Sequence, residues 1–531
     1  MEDNNKKPQT GGEAVDDIRQ IPEAVSSHHL EDVSGGTAAG DLLKKPEEPY
    51  FTEEEANRVY RKLDWNLMPL IFVLYSLSVL DRSNLGNARI AGMQKDIDLS
   101  GRRYDWLATV FYIACEFDYI FPVSEGLELS IVPDILSQWT QLGWKAFKPH
   151  IWVSTVVFLW GFISTIQAAC TSWGGLMACR VCLGIVESMY GPGVPLYLSY
   201  FYPREKLGLR TGIFLSGSAL ANAYGGALAY GISQAKGSIG SWRILFIVEG
   251  VPTCLLAIVA WFCIPDSPRE ARFLTERERE IAVALSLQQP GDRQSKGLQW
   301  KQVLGALLDY TSYLPALMYF GCNVCFASLP LFVPTIISQM GVFSTIQSNG
   351  LSAPPYVACW IAIVACAFIS DRYKLRGPFV VGAAVVAAIG YIILATQTTV
   401  AARYFGLFLA VMIFVSVALV LTWVGNSHAT DSKRGAALAI LATGGQCGPV
   451  LGTNVFPTTD APYYRKGMWV SFGACCIVIV AGLCQIFLLW RENRERDRKY
   501  GPSDAHPTAQ DQHFDLDPSG YGNDKRFRYV L

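Results

Sequence analysis

Residues 310–370 read YTSYLPALMYFGCNVCFASLPLFVPTIISQMGVFSTIQSNGLSAPPYVACWIAIVACAFIS, without one Asp, Glu, Lys or Arg. A soluble domain built this way would have nothing to wet its surface. The stretch is long enough for two passes of a ~30 Å hydrocarbon core at ~20 residues each. It therefore predicts an integral membrane protein. Charges placed inside apolar spans then become the residues whose chemistry needs explaining.

The rest of the chain fits that frame. It is 51% hydrophobic and 17% charged, against ~25% charged in an average soluble protein. Its 44 basic and 45 acidic residues nearly cancel, which gives no reason to expect a nucleic-acid partner. Residues 1–60 are polar and carry no signal peptide, so they read as a disordered tail. The residues after Arg498 read the same way.

Charge-poor runs fall at about 65–88, 105–122, 151–170, 174–200, 211–234 and 244–264, then at 311–334, 352–370, 377–398, 404–425, 435–457 and 467–490. They predict twelve transmembrane helices, six on each side of a hydrophilic loop at 265–309. The expected organisation is a tail at 1–60, a six-helix half at 61–264, that loop, a second half at 310–490 and a tail at 491–531. Lys and Arg gather on one side: Arg61 and Lys62, Lys145 and Lys148, Arg204 and Arg210, Arg372 and Arg376, Lys433 and Arg434, and Arg491 to Lys499. The positive-inside rule places that side, and both termini, in the cytoplasm. Six plus six spans around a cytoplasmic loop is a transporter architecture with a midplane site between two halves.

Charged residues within the spans mark that site. Span one holds Leu80-Asp81-Arg82-Ser83-Asn84-Leu85-Gly86-Asn87-Ala88. If the span ended at Leu80 the pair would lie at the surface, but Trp65 to Leu80 is a short pass, which favours a cavity position. Span four carries Arg180, Gly184, Glu187 and Gly191, whose spacing puts all four on one helical face. Glycines there allow a neighbouring helix to come close. Two acids and two bases in one cavity nearly neutralise one another, as a proton or anion site or as a buried structural network. Pro192 and Pro195 are expected to kink the cytoplasmic part of this helix. After span eight, Asp371-Arg372-Tyr373-Lys374-Leu375-Arg376 reads as a loop gate, with Asp371 pairing a neighbouring helix end and the basic residues holding the loop inside.

The segment from Leu80 to Ala88, with Arg180 and Glu187, resembles the anion:cation symporter family of the major facilitator superfamily. The runs Asn426-Ser427-His428-Ala429-Thr430-Asp431-Ser432-Lys433-Arg434 and Gly444-Gly445-Gln446-Cys447-Gly448-Pro449 resemble its fungal branch of allantoate, nicotinate and pantothenate permeases. The resemblance covers roughly residues 60–495. It implies proton-driven uptake of a small organic anion, with Asp81 and Glu187 as proton-coupling carboxylates. Arg82 and Arg180 would order the network and attract the substrate carboxylate, with Asn84 beside them. A guanidinium fork suits that carboxylate. In the second half the substrate-binding candidates are Asn323, Asn426 and Gln446, each equally suited to interhelical hydrogen bonds. The aromatic side chains of Tyr224 and Trp423 are cavity or packing residues.

Other functional classes find less support. There is no G-x4-G-K-[ST] loop for ATP-driven pumping. The six His are scattered without H-E-x-x-H, so no metalloenzyme is expected. The fourteen Cys include the pairs Cys179–Cys182 and Cys322–Cys325, but they lie in apolar runs and read as small packing residues rather than metal or redox ligands. No cofactor or metal is implied. The expected partners are a small organic anion, protons and lipid, with a monomer in the plasma membrane. An efflux carrier or a nutrient sensor on the same scaffold is the alternative. One stretch departs from the family: Glu116, Asp118, Glu125, Glu128 and Asp134 interrupt span two. Joining Ala114 to Ile135 restores a clean span, so 115–134 reads as an insertion of the kind a retained intron leaves. The alternative is an unusual span two ending near Val123.

Overall fold

A computed structural model describes residues 51–120, 144, 147–191, 193–234, 239–287, 300–373, 375–427, 431–500 and 529–530. From Glu53 onward they form one unit. Its first six principal helices are α1 Glu53–Ala88, α2 Arg103–Ile120, α3 Pro149–Gln167, α4 Trp173–Ser188, α5 Arg204–Ser233 and α6 Ser241–Cys263. The second six are α7 Tyr310–Ser338, α8 Thr345–Tyr373, α9 Gly377–Thr396, α10 in two pieces (Val400–Ala410 and Ile413–Asn426), α11 Asp431–Gly452 and α12 Arg465–Tyr500. Short helices Glu276–Leu287 and Trp300–Leu308 lie between the sets. The fold is all-α, two successive sets of six helices.

Ten of the spans among the described residues are long and apolar enough to cross a membrane by length and composition. The exceptions are α2 and α5. Helix α5 is rich in Gly, Ala and Ser because it packs along α8 rather than against lipid. Gly212 lies 3.3 Å, measured from an added Cβ, from Ala367. Elsewhere the outer surface is apolar: Phe262, Leu255, Phe368, Phe405 and Phe487 are each more than half exposed. That inside-out pattern suits hydrocarbon, since lipid tails solvate such side chains as well as a protein core does.

Local signals explain where helices begin. Ser172 caps α4 by accepting from the Gly175 N–H at 3.2 Å, and Asp309 caps α7 by accepting from the Thr311 N–H at 3.0 Å. Pro149 and Pro378 occupy the first turns of α3 and α9, where a missing N–H costs nothing. The expected kink in span four is a break; Pro192 lies outside the described residues, and Pro195 falls within the short helix that follows. Helix α4 ends at Ser188 and the chain resumes as a separate short helix, Gly193–Ser199. Helix α2 stays helical through Ile120; most of the suspected insertion 115–134 lies outside the described residues.

The two halves repeat one ion pair. Arg210 of α5 holds Asp64 of α1 with two bonds of 2.8 and 2.7 Å. In the second half Lys433 of α11 holds Asp309, at the start of α7, at 2.8 Å. Each ties the first helix of its half to the fifth on the face where α1 begins, termed here the terminal face. On the same face Lys62 reaches Glu278 at 2.7 Å. Burial opposes ionisation of Glu278, but the bonds from Lys62 and Thr275 outweigh it and hold the carboxyl below its usual range. The stabilisation is therefore present above that range and lost as pH falls through the depressed value. Glu278→Gln should speed hydrogen exchange across Glu276–Leu287 severalfold at neutral pH. Wild-type protein should show the same loosening only in acid.

At the opposite, distal face the halves meet closely. Thr109 of α2 and Thr453 after α11 share a hydrogen bond of 2.8 Å. Asn454 donates to Thr109 at 3.1 Å and accepts from Arg102 at 2.7 Å. Gly86 of α1 sits on α7: an added Cβ would lie 2.7 Å from the Leu331 carbonyl oxygen and 2.9 Å from that of Pro330. Both obstacles are backbone, so neither can swing aside. Overpacking of this kind costs ~1–3 kcal/mol, ~10-fold or more against the closed arrangement. Gly86→Val should thus shift the distal face toward an open arrangement by about that factor while membrane insertion persists, read as faster labelling of distal-face cysteine probes; unchanged labelling would contradict it.

Candidate functional site

Helix α1 turns ~100° per residue, so Asp81 and its neighbour Arg82 address different partners. Ser78 and Arg82, four apart, share one face and both meet Glu187 of α4. The Arg82 Nε donates to Glu187 Oε1 at 2.6 Å and Ser78 Oγ donates to the same oxygen at 2.5 Å. The Arg82 side chain keeps 22% exposure while that of Glu187 is fully buried. The second carboxylate oxygen, Oε2, has no partner. Arg82 also lies 5.6 Å over the Phe111 ring of α2.

Asp81 and Asn84 lie one turn apart on an adjacent face. Asp81, 1% exposed, accepts from Ser164 Oγ of α3 at 2.6 Å. Its other oxygen is buried without a partner. Arg180 of α4 does not close an ion pair with that carboxylate. It donates Nη1 to the Asp81 backbone carbonyl at 3.3 Å, and its Nε and Nη2 are buried without partners. Its guanidinium lies 5.7 Å over the Phe246 ring of α6. A buried cation with unspent donors is poised for an anion.

The expected face of α4 is only partly realised. Arg180, Gly184 and Glu187 are buried together. A Cβ on Gly184 would lie 2.6 Å from the Phe111 carbonyl oxygen, so this glycine sets the close approach of α2. Gly191 does not do the same: it lies past the end of α4 and open space surrounds it. The interior also holds a carboxylate that was not among the sequence candidates. Glu249 of α6 is 2% exposed and accepts from Asn84 Nδ2 at 2.6 Å. It stands inside an apolar span, the same signal that marks Glu187.

The second-half candidates fall elsewhere. Asn323 is buried and donates to the Gly445 carbonyl at 3.2 Å, an α7–α11 tie. Gln446 is half-buried on α11. Asn426 ends α10, and its side chain lies outside the described residues. Trp423 is packing: it is 1% exposed and its indole N–H donates to the Val530 carbonyl at 2.8 Å. Tyr224 is 54% exposed. The terminal segment is correspondingly seated, with Tyr529 and Asn493 exchanging two bonds of 2.9 Å. Arg403, near the distal end of α10, is also buried and lies 5.0 Å over the Tyr463 ring.

In the expected loop gate, Arg376 pairs with Asp371 and donates to Thr422 Oγ1 at 2.8 Å. A Cβ on Gly208 of α5 would lie 2.6 Å from Arg376 Nη2, so this pair touches the other half. Arg372 is exposed and outside it. No disulfide joins any two of the fourteen Cys, all of which lie among the described residues.

A buried charge network on one half, two six-helix halves and a polar clasp between them form a transporter arrangement, and comparison with known proteins agrees. The model of the Major Facilitator Superfamily matches residues 145–453. An MFS-type transporter, efuF, of Hormonema carpetanum is 32% identical over 84% of this chain and 87% of its own length. The high-affinity nicotinic acid transporter of Saccharomyces cerevisiae is 31% identical over 88% of this chain and 83% of its own. Among solved structures, the proton:xylose symporter XylE aligns with a TM-score of 0.56 at 16% identity, covering 82% of this chain and 96% of XylE. A bacterial homologue of the lysosomal transporter Spinster aligns at 0.54 and 12% identity, over 82% of this chain and 97% of that one. At those identities the structures speak for the fold alone, and the sequence relatives carry the rest: this chain is a transporter that belongs to the major facilitator superfamily.

Proposed function

We propose that this transporter takes up a small organic anion, a carboxylate of the nicotinate, allantoate or pantothenate kind, together with protons. The observation that carries the reading is the split charge network on α1 and α4. Arg82 is tied to Glu187, whereas Arg180 keeps two unspent donors beside Asp81. A proton on Glu187 weakens its hold on Arg82, and the partly exposed guanidinium then turns to the cavity. The substrate carboxylate takes the free fork of Arg180, with Asp81 as the second proton-coupling group. Arg82 and Arg180 bind; Asp81 and Glu187 couple.

The terminal face, rich in Lys and Arg, is assigned to the cytoplasm, and the plasma membrane is the natural site for uptake. The Asp371–Arg376 pair against Gly208 then gates the cytoplasmic exit, while the Thr109–Thr453–Asn454 clasp and Gly86 seal the outside. Transport proceeds by alternating rupture of these two contacts. The relative that transports nicotinic acid supports nicotinate as the first substrate to try.

The test is uptake of radiolabelled nicotinate, allantoate and pantothenate at acidic and neutral external pH, with and without a protonophore. Accumulation of one of these acids that rises in acid and collapses with the protonophore is expected. Uptake indifferent to the protonophore would reject proton symport.

A further inference from the structure

We propose that Glu249 is a third proton-exchanging carboxyl of this site, held by Asn84 and sharing Arg180 with Asp81. The inference rests on the transport reading and deepens it. Charge counting is the first argument. Asp81, Glu187 and Glu249 oppose only Arg82 and Arg180, and Arg82 is already tied to Glu187. Asp81 and Glu249 are left with one cation between them, one acid in excess within an apolar bundle, where unbalanced charge is costly. One proton restores neutrality.

Geometry supplies the second argument. Among the described residues no basic group lies within ion-pair distance of Glu249, whose Oε1 is buried without a partner. Its Oε2 accepts from Asn84, and the Asn84 Oδ1 is likewise buried and unpartnered. A carboxamide carries donors at one end and an acceptor at the other. Asn84 can therefore donate to the carboxylate and, after a half-turn of the amide, accept from the carboxylic acid. It keeps its bond in both protonation states, a property no hydrocarbon side chain offers. Asn84 is also one turn from Asp81 on α1, so the two carboxyls are read by the same helix.

The charged groups acting on Glu249 are Asp81 from α1 and Arg180 from α4. Helix α3 presents uncharged Ser164, bonded to Asp81. Helix α5 has no charged residue from Thr211 to Ser233. In the turn between α1 and α2, Arg89 faces the Tyr104 ring at 4.1 Å. Proton exchange at Glu249 thus speaks to Arg180 and, through it, to the anion.

The experiment is pH-difference infrared spectroscopy of the full chain in phosphatidylcholine vesicles without substrate, following the carbonyl stretch of protonated carboxyls. Wild type should show titrating bands, of which Glu249→Gln removes one. Asn84→Ala should keep that band but move its midpoint by about one pH unit, and Asp81→Asn should move it as well. A Glu249→Gln spectrum superimposable on wild type would overturn the proposal, as would a midpoint unmoved in both of the other variants. Should Glu249→Gln fail to insert, Asn84→Ala decides alone. Because no substrate is present, failure of anion uptake would reject the transport reading and leave this result standing.

Discussion

Replacing Glu187 with Gln is expected to abolish concentrative uptake while leaving counterflow exchange largely intact. The amide has the same size, and its oxygen still accepts from Ser78 Oγ and Arg82 Nε, which now meet at Glu187 Oε1 at 2.5 and 2.6 Å. Packing against α1 is preserved. What disappears is the charge that balances Arg82 and, on the proposed mechanism, the proton that releases it. Leaving one member of a buried pair uncompensated costs ~3–5 kcal/mol, so accumulation should drop by about 100-fold or more under a proton gradient. Exchange needs no net proton movement, and Arg180 is untouched. Accumulation at the wild-type level with wild-type pH dependence would remove Glu187 from the coupling machinery.

Arg180→Lys should raise the KM for the carboxylate substrate by about 10- to 100-fold with a much smaller effect on kcat. The substitution keeps the positive charge beside Asp81 but replaces a planar fork by a single ammonium. The fork matters because Arg180 spends only Nη1, on the Asp81 carbonyl at 3.3 Å, and leaves Nε and Nη2 for a ligand. Losing one of two charge-assisted bonds is worth ~1.5–3 kcal/mol, which sets the expected factor. Lysine also lies differently over the Phe246 ring, since a compact ammonium replaces the planar guanidinium 5.7 Å from it. An unchanged KM would place substrate recognition elsewhere, with Arg82 the next residue to test.

Much of this was legible in the sequence. The uncharged run at 310–370 covers α7 and all of α8 but its last turn, and the charges that end it include the Asp371–Arg376 pair. That Asp81 and Arg82 meet Arg180 and Glu187 in one cavity follows from the rule that charges in apolar spans must find partners or face a cavity; that Arg82 is the one that pairs Glu187 does not. Glu249 obeys the same rule and is equally visible in its span; what the sequence does not carry is that Asn84 reaches it across from α1. The division of labour between Asp81 and Arg82 is likewise a tertiary fact. Helical periodicity separates their directions, but only packing says that α3 and α6 lie on one side and α4 on the other. Composition could not separate Trp423 as packing from Trp423 as cavity wall, because its partner is a carbonyl more than a hundred positions away. Asn323, polar in an apolar span, reads the same whether it meets a ligand or, as it does, the Gly445 backbone.

The asymmetry between the halves is the mechanistic core of the account. In the first half, carboxylates and guanidiniums stand within one bundle; in the second, Asn323 ties α7 to α11, Gln446 is half-buried, and the buried Arg403 sits toward the distal end. On the proposed mechanism, both halves contribute to the clasp and the gate, and the first half supplies the titrating chemistry. That division predicts that proton movement requires the anion. The most direct measurement is proton flux in vesicles reconstituted with the full chain, read by an internal pH dye when nicotinate or a related acid is added outside. Proton entry that begins with the anion, saturates with it and disappears in Glu187→Gln is the predicted result. Anion entry with no accompanying proton movement, or proton movement unchanged in Glu187→Gln, would contradict it.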